Sequence, residues 1–238
     1  MLKKKIYLKR ILHDIKDFKN DPVNDIYIHF DENNIKIIHA LIIGPTDTPY
    51  ENGIYYFTIN ISEKFPFESP TVKFETINGN IRFNPNLYDN GKVCLSILGT
   101  WSGPKWSPVQ TIKSLLISIR SLLNENPIMN EPGYDNYKLT DLKSISYNKY
   151  IKYHNYSFAL LEMLKNDSFY PYFKNEINNH FKNKYNIIIQ DLSKLKKYDN
   201  ELVNTLFWNK SIKLNFTKLE KDLMKYYKNI SNIEKLCI

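Results

Sequence analysis

Cys94 is the residue of this sequence best suited to covalent chemistry. It lies in Asn90-Gly91-Lys92-Val93-Cys94-Leu95-Ser96-Ile97-Leu98, between a turn and an apolar run. Asn84-Pro85-Asn86 stands eight to ten residues upstream, and Trp106-Ser107-Pro108 begins twelve residues downstream. A free thiol with a pKa near 8.5 is only a few per cent thiolate at pH 7, so a nucleophilic cysteine ordinarily has a histidine beside it. The five histidines, His13, His29, His39, His154 and His180, all lie outside the segment that holds the cysteine. A local Cys-His dyad therefore has no support, and the bland alternative is an inert core thiol. Cys94 and Cys237 make neither a disulfide framework nor a CxxC pair, and no metal-ligand set is apparent.

The elements that must position this segment follow from periodicity and punctuation. Leu8, Ile11, Leu12, Ile15 and Phe18 recur at three- and four-residue spacing, which predicts a helix stopped by Asp21-Pro22. Lys3, Lys4, Lys5, Lys9 and Arg10 crowd its start, where the helix dipole prefers acids, so a docking role is open to them. Four β-rich runs follow, 25–30, 35–43, 54–61 and 71–75, separated by turn residues, which implies an antiparallel meander. Tyr55, Phe57, Ile59 and Ile61 share one face, which a helix could cover. Residues 77–107, rich in Gly, Pro and Asn, form a long connection of the kind that often carries function. A helix is expected next, with Ser107 as cap, Pro108 at its first position, and Val109, Ile112, Leu115, Leu116, Ile119, Leu122 and Leu123 as its apolar stripe. Asn126-Pro127 and Glu131-Pro132-Gly133 break it before a largely helical remainder, and the expected division is 1–150 and 151–238.

With 238 residues, 42% hydrophobic and 24% charged, the chain is excluded from the disordered and fibrous classes. No run approaches the roughly 18 apolar residues of a membrane span. The charged N-terminus lacks a signal-peptide core, so a place in the cytosol or nucleus is expected and no membrane partner. Net charge is +8, unevenly spread: residues 1–140 carry 16 Lys and Arg against 15 Asp and Glu, and residues 141–238 carry 17 against 10. The basic excess of the tail is read as a solvated helical surface and its aromatics as core, so a nucleic-acid partner is not expected.

The order of helix, meander, PYENG turn, FPFESP, NPN, GKVCLSIL, WSP and amphipathic helix resembles the ubiquitin-conjugating enzyme family over about residues 5–150. It is most similar to the larger Z-type members, through RFNPNLYDNGKVCLSILGTWSGPKWSP followed by NENPIMNEPGY. The resemblance implies an α/β (α+β) ubiquitin-conjugating fold: N-terminal helix, four-stranded antiparallel meander, active-site loop and central helix, here with a helical C-terminal extension. It implies an acyl transferase that accepts ubiquitin or a ubiquitin-like modifier as a thioester on Cys94 from an activating enzyme. The modifier passes to a lysine of a protein substrate, usually with a ligase, and no cofactor or metal is called for. Thiol exchange with an already activated thioester needs access and a competent leaving group more than a resident base, which accounts for the missing histidine. The alternative is an inactive binding module of the same fold, although such variants typically lack the cysteine.

By the same resemblance Asn86 supports the active-site loop or donates to the oxyanion formed when a lysine attacks. The family's His-Pro-Asn motif is Asn84-Pro85-Asn86 here, so the histidine's structural hydrogen bonds are in question. Glu131 is the nearest match to the acid before a proline that orients the amine, and Ser96 stands where an aspartate is common. Lys5, Lys9 and Arg10 map to the activating-enzyme surface, and Phe67, Ser107 and Pro108 to the ligase surface. The segment 100–105 lengthens the spacing from Cys94 to Trp106.

Overall fold

The computed structural model describes residues 2–31, 33–166, 171–204 and 211–236, with the side chains of 2–5 and 231–236 outside the description. It divides into two compact units, Met1–Lys138 and Leu139–Ile238. The boundary falls earlier than expected, because helix α3 (Leu142–His154) runs unbroken through residue 150.

The first unit opens with α1 (Leu2–Asn20) and continues through β1 (Ile26–Asp31), β2 (Asn34–Ile43), β3 (Ile54–Asn60) and β4 (Thr71–Phe74). The strands pair in sequence order as one antiparallel sheet, as the alternation of apolar runs and turns requires. In α1 the buried residues are Tyr7, Ile11, Asp14, Ile15 and Phe18, and Leu12 faces solvent instead of joining the stripe. One face of the sheet presents Tyr55, Phe57, Ile59 and Phe74 to the core, where Phe57 and Phe74 lie 5.2 Å apart. Gly44 is required where the PYENG turn closes, since a Cβ there would stand 1.7 Å from the Tyr50 carbonyl oxygen.

The long connection contains only a short 3-10 turn at Ser96–Leu98 before α2 (Ile112–Ser121), which buries Ile112, Leu115, Leu116 and Ile119. The helix starts later than expected. Thr111 is its N-cap, in a reciprocal capping box with Ser114 that satisfies two backbone N–H groups at once. Ser107 and Pro108 sit in the preceding turn, Val109 is 83% exposed, and Leu122 and Leu123 follow the helix end.

Arg10 fastens α1 to the start of α2. Its guanidinium donates to Asp14 Oδ1 (2.7 Å), to the Pro108 carbonyl (2.6 Å) and to the Gln110 carbonyl (2.5 Å), while Asp14 Oδ2 accepts from the Ile112 N–H (3.1 Å). Asp14 is buried, and a buried carboxylate is tolerated only when paired and hydrogen-bonded in this way.

The second unit follows α3 with a π-helical stretch, Asn155–Glu162, and α4 (Met163–Lys165). Then come α5 (Lys174–Leu195), a short antiparallel pair of β5 (Leu202–Asn204) and β6 (Ser211–Lys213), and α6 (Phe216–Leu236). Its core is aromatic, with Tyr147, Tyr150, Tyr156, Phe173, Phe181 and Phe216 fully buried. Asp199 caps α6, accepting from the N–H groups of Phe216 (2.6 Å) and Thr217 (3.2 Å). His154 packs edge-on against Tyr150, with ring centroids 4.6 Å apart, and desolvation lowers its pKa to about 4.

Because an unfolded histidine binds a proton below about pH 6.5 and the packed one does not, the stability this site contributes is complete above pH 6.5. It is lost as pH falls toward 4. Between pH 7.5 and 5 the native protein should lose about 1–2 kcal/mol more stability than His154→Phe, read from denaturant melts at the two pH values. Parallel losses in the two proteins would contradict this assignment.

Candidate active site

Residues 84–94 form an irregular hairpin. Leu87 bridges Val93, Tyr88 N–H donates to the Lys92 carbonyl (2.9 Å), and Cys94 N–H donates to the Asn86 carbonyl (2.8 Å). The Asn86 side chain adds a second tie, its Nδ2 donating to the Cys94 carbonyl at 2.8 Å. One N–H of that amide is used on the loop and the second remains for another acceptor, so a loop-holding role and a donor role are compatible. Asn86 Oδ1 is buried and has no hydrogen-bond partner among the described residues.

The hairpin is held from behind. Phe74 N–H donates to the Gly91 carbonyl (2.8 Å), and Gly91 has φ +90° with the Phe74 carbonyl oxygen only 2.8 Å from where a Cβ would stand. A side chain at position 91 would be both strained and in collision. Phe83 packs edge-on to Tyr55 (5.5 Å) and Phe74 (6.3 Å), anchoring the start of the hairpin in the aromatic core.

Asn84, fully buried, occupies the first position of the altered motif and uses its whole amide. Nδ2 donates to Tyr50 Oη (2.9 Å) and the Leu122 carbonyl (2.7 Å), and Oδ1 accepts from Asn86 N–H (2.9 Å) and Asn130 Nδ2 (3.2 Å). Burial raises the Tyr50 pKa, so its phenol stays protonated and donates to the Phe83 carbonyl (2.8 Å). An asparagine thus supplies structural hydrogen bonds at the histidine's place.

Cys94 is 1% exposed and lines an open cleft of about 470 Å³ with Asn86, Ser96, Trp101, Asn130 and Asp135. The inserted segment forms one wall. Thr100 Oγ1 accepts from Leu95 N–H (2.9 Å) and donates to the Val93 carbonyl (2.7 Å), which pins the turn that carries Trp101 and Ser102 into the lining.

The structure brings Cys94 and Asn86 together but does not place Glu131 in this lining, where Asp135 supplies the carboxylate. Sequence reasoning passed over Asp135 and Trp101, and the length of the 100–105 segment was the one available signal for the latter. Phe67 is 67% exposed, and Pro108 and Lys9 are exposed while Ser107 is half-buried. The Lys5 side chain lies outside the described residues. The Arg10 guanidinium is hydrogen-bonded to Asp14 and to two backbone carbonyls. Among the described residues no cluster of three or more His, Cys, Asp or Glu is arranged for a metal, and no helix is long and apolar enough to cross a membrane.

The family model described as ubiquitin-conjugating enzyme matches residues 10–155, more than half of the chain. The chain belongs to the ubiquitin-conjugating enzyme family. It is 46% identical over 157 residues to ubiquitin-conjugating enzyme E2 Z of Xenopus tropicalis, covering 66% of this chain and 50% of that protein. It is 41% identical over 184 residues to probable ubiquitin-conjugating enzyme protein 17 of Caenorhabditis elegans, covering 72% of this chain and 25% of that protein. The solved structure of human ubiquitin-conjugating enzyme E2 G1 matches at 30% identity with a TM-score of 0.42, covering 48% of this chain and 90% of that one. The chain spans about half the length of the E2 Z relatives, and the family match ends within the second unit.

In this member of the ubiquitin-conjugating enzyme family the geometry makes Asn84 a structural residue. Asn84→Ala strips partners from Asn86 N–H and Tyr50 Oη in a buried site and should destabilise the protein by about 2 kcal/mol in urea melts. A change below about 0.5 kcal/mol would contradict the role.

Proposed function

We propose that the protein accepts ubiquitin or a ubiquitin-like modifier on Cys94 from an activating enzyme and transfers it to a lysine of a protein substrate, usually with a ligase. The observation that carries this reading is the juxtaposition of Cys94 and Asn86 on one cleft, with Cys94 doubly tied through its N–H and carbonyl to Asn86. In loading, the Cys94 thiolate attacks the modifier's thioester carbonyl, a new C–S bond forms, and the activating enzyme's thiolate leaves. In transfer, a lysine nitrogen attacks the same carbonyl, the C–N bond forms, and the C–S electron pair returns to Cys94 Sγ. The reaction exchanges one thioester for another and then for a more stable amide, so neither step needs a cofactor.

An oxyanion develops on the carbonyl oxygen in both steps, and the second N–H of Asn86 Nδ2 is a donor on the cleft that could meet it. Lys9, exposed on α1, and the adjacent Arg10 are the described cations proposed for the activating enzyme, with Lys5 four residues before Lys9 in sequence. Exposed Phe67, Pro108 and Val109 form the apolar part of the proposed ligase surface with Ser107. Trp106 supports it from below, its Nε1 donating to the Pro66 carbonyl (2.7 Å).

Purified protein incubated with ATP, ubiquitin and a ubiquitin-activating enzyme should give a thiol-sensitive adduct on a non-reducing gel. Cys94→Ser should give none, or one that thiol does not remove. Absence of any adduct with ubiquitin or a related modifier and its own activating enzyme would return the chain to the class of inactive binding modules.

A further inference from the structure

One helix face in the second unit carries charge that the fold leaves uncompensated. Elsewhere in that unit lysines meet acids: Lys149 pairs with Glu201 (2.7 Å), Lys152 with Asp191 (2.9 Å), and Lys196 with Glu220 on α6. Lys218, Lys221, Lys225 and Lys228 of α6 are all exposed, and among the described residues none of the four is in an ion pair. Their three- and four-residue spacing sets them in one stripe along the helix, opposite Phe216, Leu219 and Leu223, which are buried. Asp222, half-buried, flanks the stripe and likewise makes no ion pair.

Folding gives no reason for this arrangement. Lys218 stands in the first turn, which holds no acid and where the helix dipole opposes a cation. Each lysine has a like charge three or four residues along, a spacing at which like charges repel. An arrangement that costs stability within the chain points outward, to an anionic partner.

Spacing and surroundings narrow the chemistry of that partner. At 1.5 Å per residue the lysines advance about 4.5, 6 and 4.5 Å along the axis, about 15 Å in all. Acids at the same spacing on a second helix would stand opposite them one for one, whereas same-side residues of an extended chain lie about 6.6 Å apart and drift out of step. Nucleic acid finds little else here, since residues 139–238 contain no arginine to read base edges. The neighbouring rings are taken up by one another, Tyr227 stacked on Tyr185 (3.8 Å) and Tyr226 packed on Phe181 (5.8 Å), which leaves no stacking platform. A lipid surface is also disfavoured, because α6 turns its apolar side into the core and has none to insert.

We propose that this face of α6 is a docking surface for an acidic helical segment of a partner protein, with Asp or Glu at three- and four-residue spacing. The contact is made by exposed charge pairs, so it forms fast and weakens as salt rises. None of the four lysines lines the cleft, and the surface is separate from the chemistry proposed for Cys94.

Two fluorescent helical peptides of one composition test this on the full chain by anisotropy, one with Glu at i, i+3, i+7 and i+10, the other with the same Glu residues spread around the helix. K218Q/K221Q/K225Q/K228Q is compared with K16Q/K64Q/K105Q/K138Q, which removes the same charge from exposed sites of the first unit. At about 50 mM salt the native chain should bind the striped peptide about threefold or more tighter than the spread one, and about 200 mM salt should weaken both. The α6 variant should lose about tenfold in affinity for the striped peptide, as expected for a few exposed charge pairs, and the control variant less than about twofold. Equal binding of the two peptides by the native chain, equal losses in the two variants, or no binding at low salt would overturn the assignment. Duplex DNA and phosphatidylserine vesicles are run beside the peptides at about 150 mM salt, where neither should be retained. Retention of either that the α6 substitutions abolish would overturn the choice of partner.

Discussion

Cys94 is bound twice to Asn86, once through its own N–H and once through its carbonyl, and the chemistry proposed for the cleft depends on that double tie. In the proposed reaction a thiol reached by a protein-sized acyl group must hold one position while its partners come and go, and misplacement by about an ångström can slow a reaction about a hundredfold. Here the position is set by hairpin register. The hairpin is in turn braced by Phe83 in the aromatic core, by Gly91 against β4, and by Asn84, which uses all of its amide. Each brace lies on a different element, so the sheet, the helix end at Leu122 and the segment around Asn130 all bear on one short loop.

Function then falls to what surrounds the fixed thiol. The walls come from three places in sequence: the hairpin, the inserted turn at 100–103, and the segment after α2 that ends at Asp135. The first is held by backbone pairing, whereas the other two are irregular loops tied back through side chains, at Thr100 in one and at Asn126 and Asn130 in the other. Such a division lets the walls of the cleft change by loop substitution without moving the cysteine.

Much of this was legible because the physical signals were local. Four strands follow from apolar runs cut by Gly, Pro and Asn, and their sequential pairing follows from short connections. The pairing of Asn86 with Cys94 was legible only through resemblance, since no single-chain rule pairs two loop residues eight apart. Other features turn on competition that spacing does not reveal. Ser107-Pro108 has the chemistry of a helix start, but Thr111 with Ser114 satisfies two N–H groups and wins, which leaves Val109 in solvent. Arg10 reads as surface charge until the burial of Asp14 four residues on demands a partner. Glu131 stands before a proline as the resemblance requires, yet the positive φ of Gly133 turns the chain so that Asp135 meets the cleft.

The double tie between Asn86 and Cys94 is tested most directly by amide hydrogen exchange at Cys94 in Asn86→Ala. That variant keeps the backbone acceptor and removes only the side-chain bond. Loss of one such hydrogen bond should speed exchange at Cys94 about fivefold while exchange in β2 stays unchanged. Exchange at Cys94 within the error of the native rate would show that the side chain does not hold the loop, and the account of how the thiol is positioned would fail.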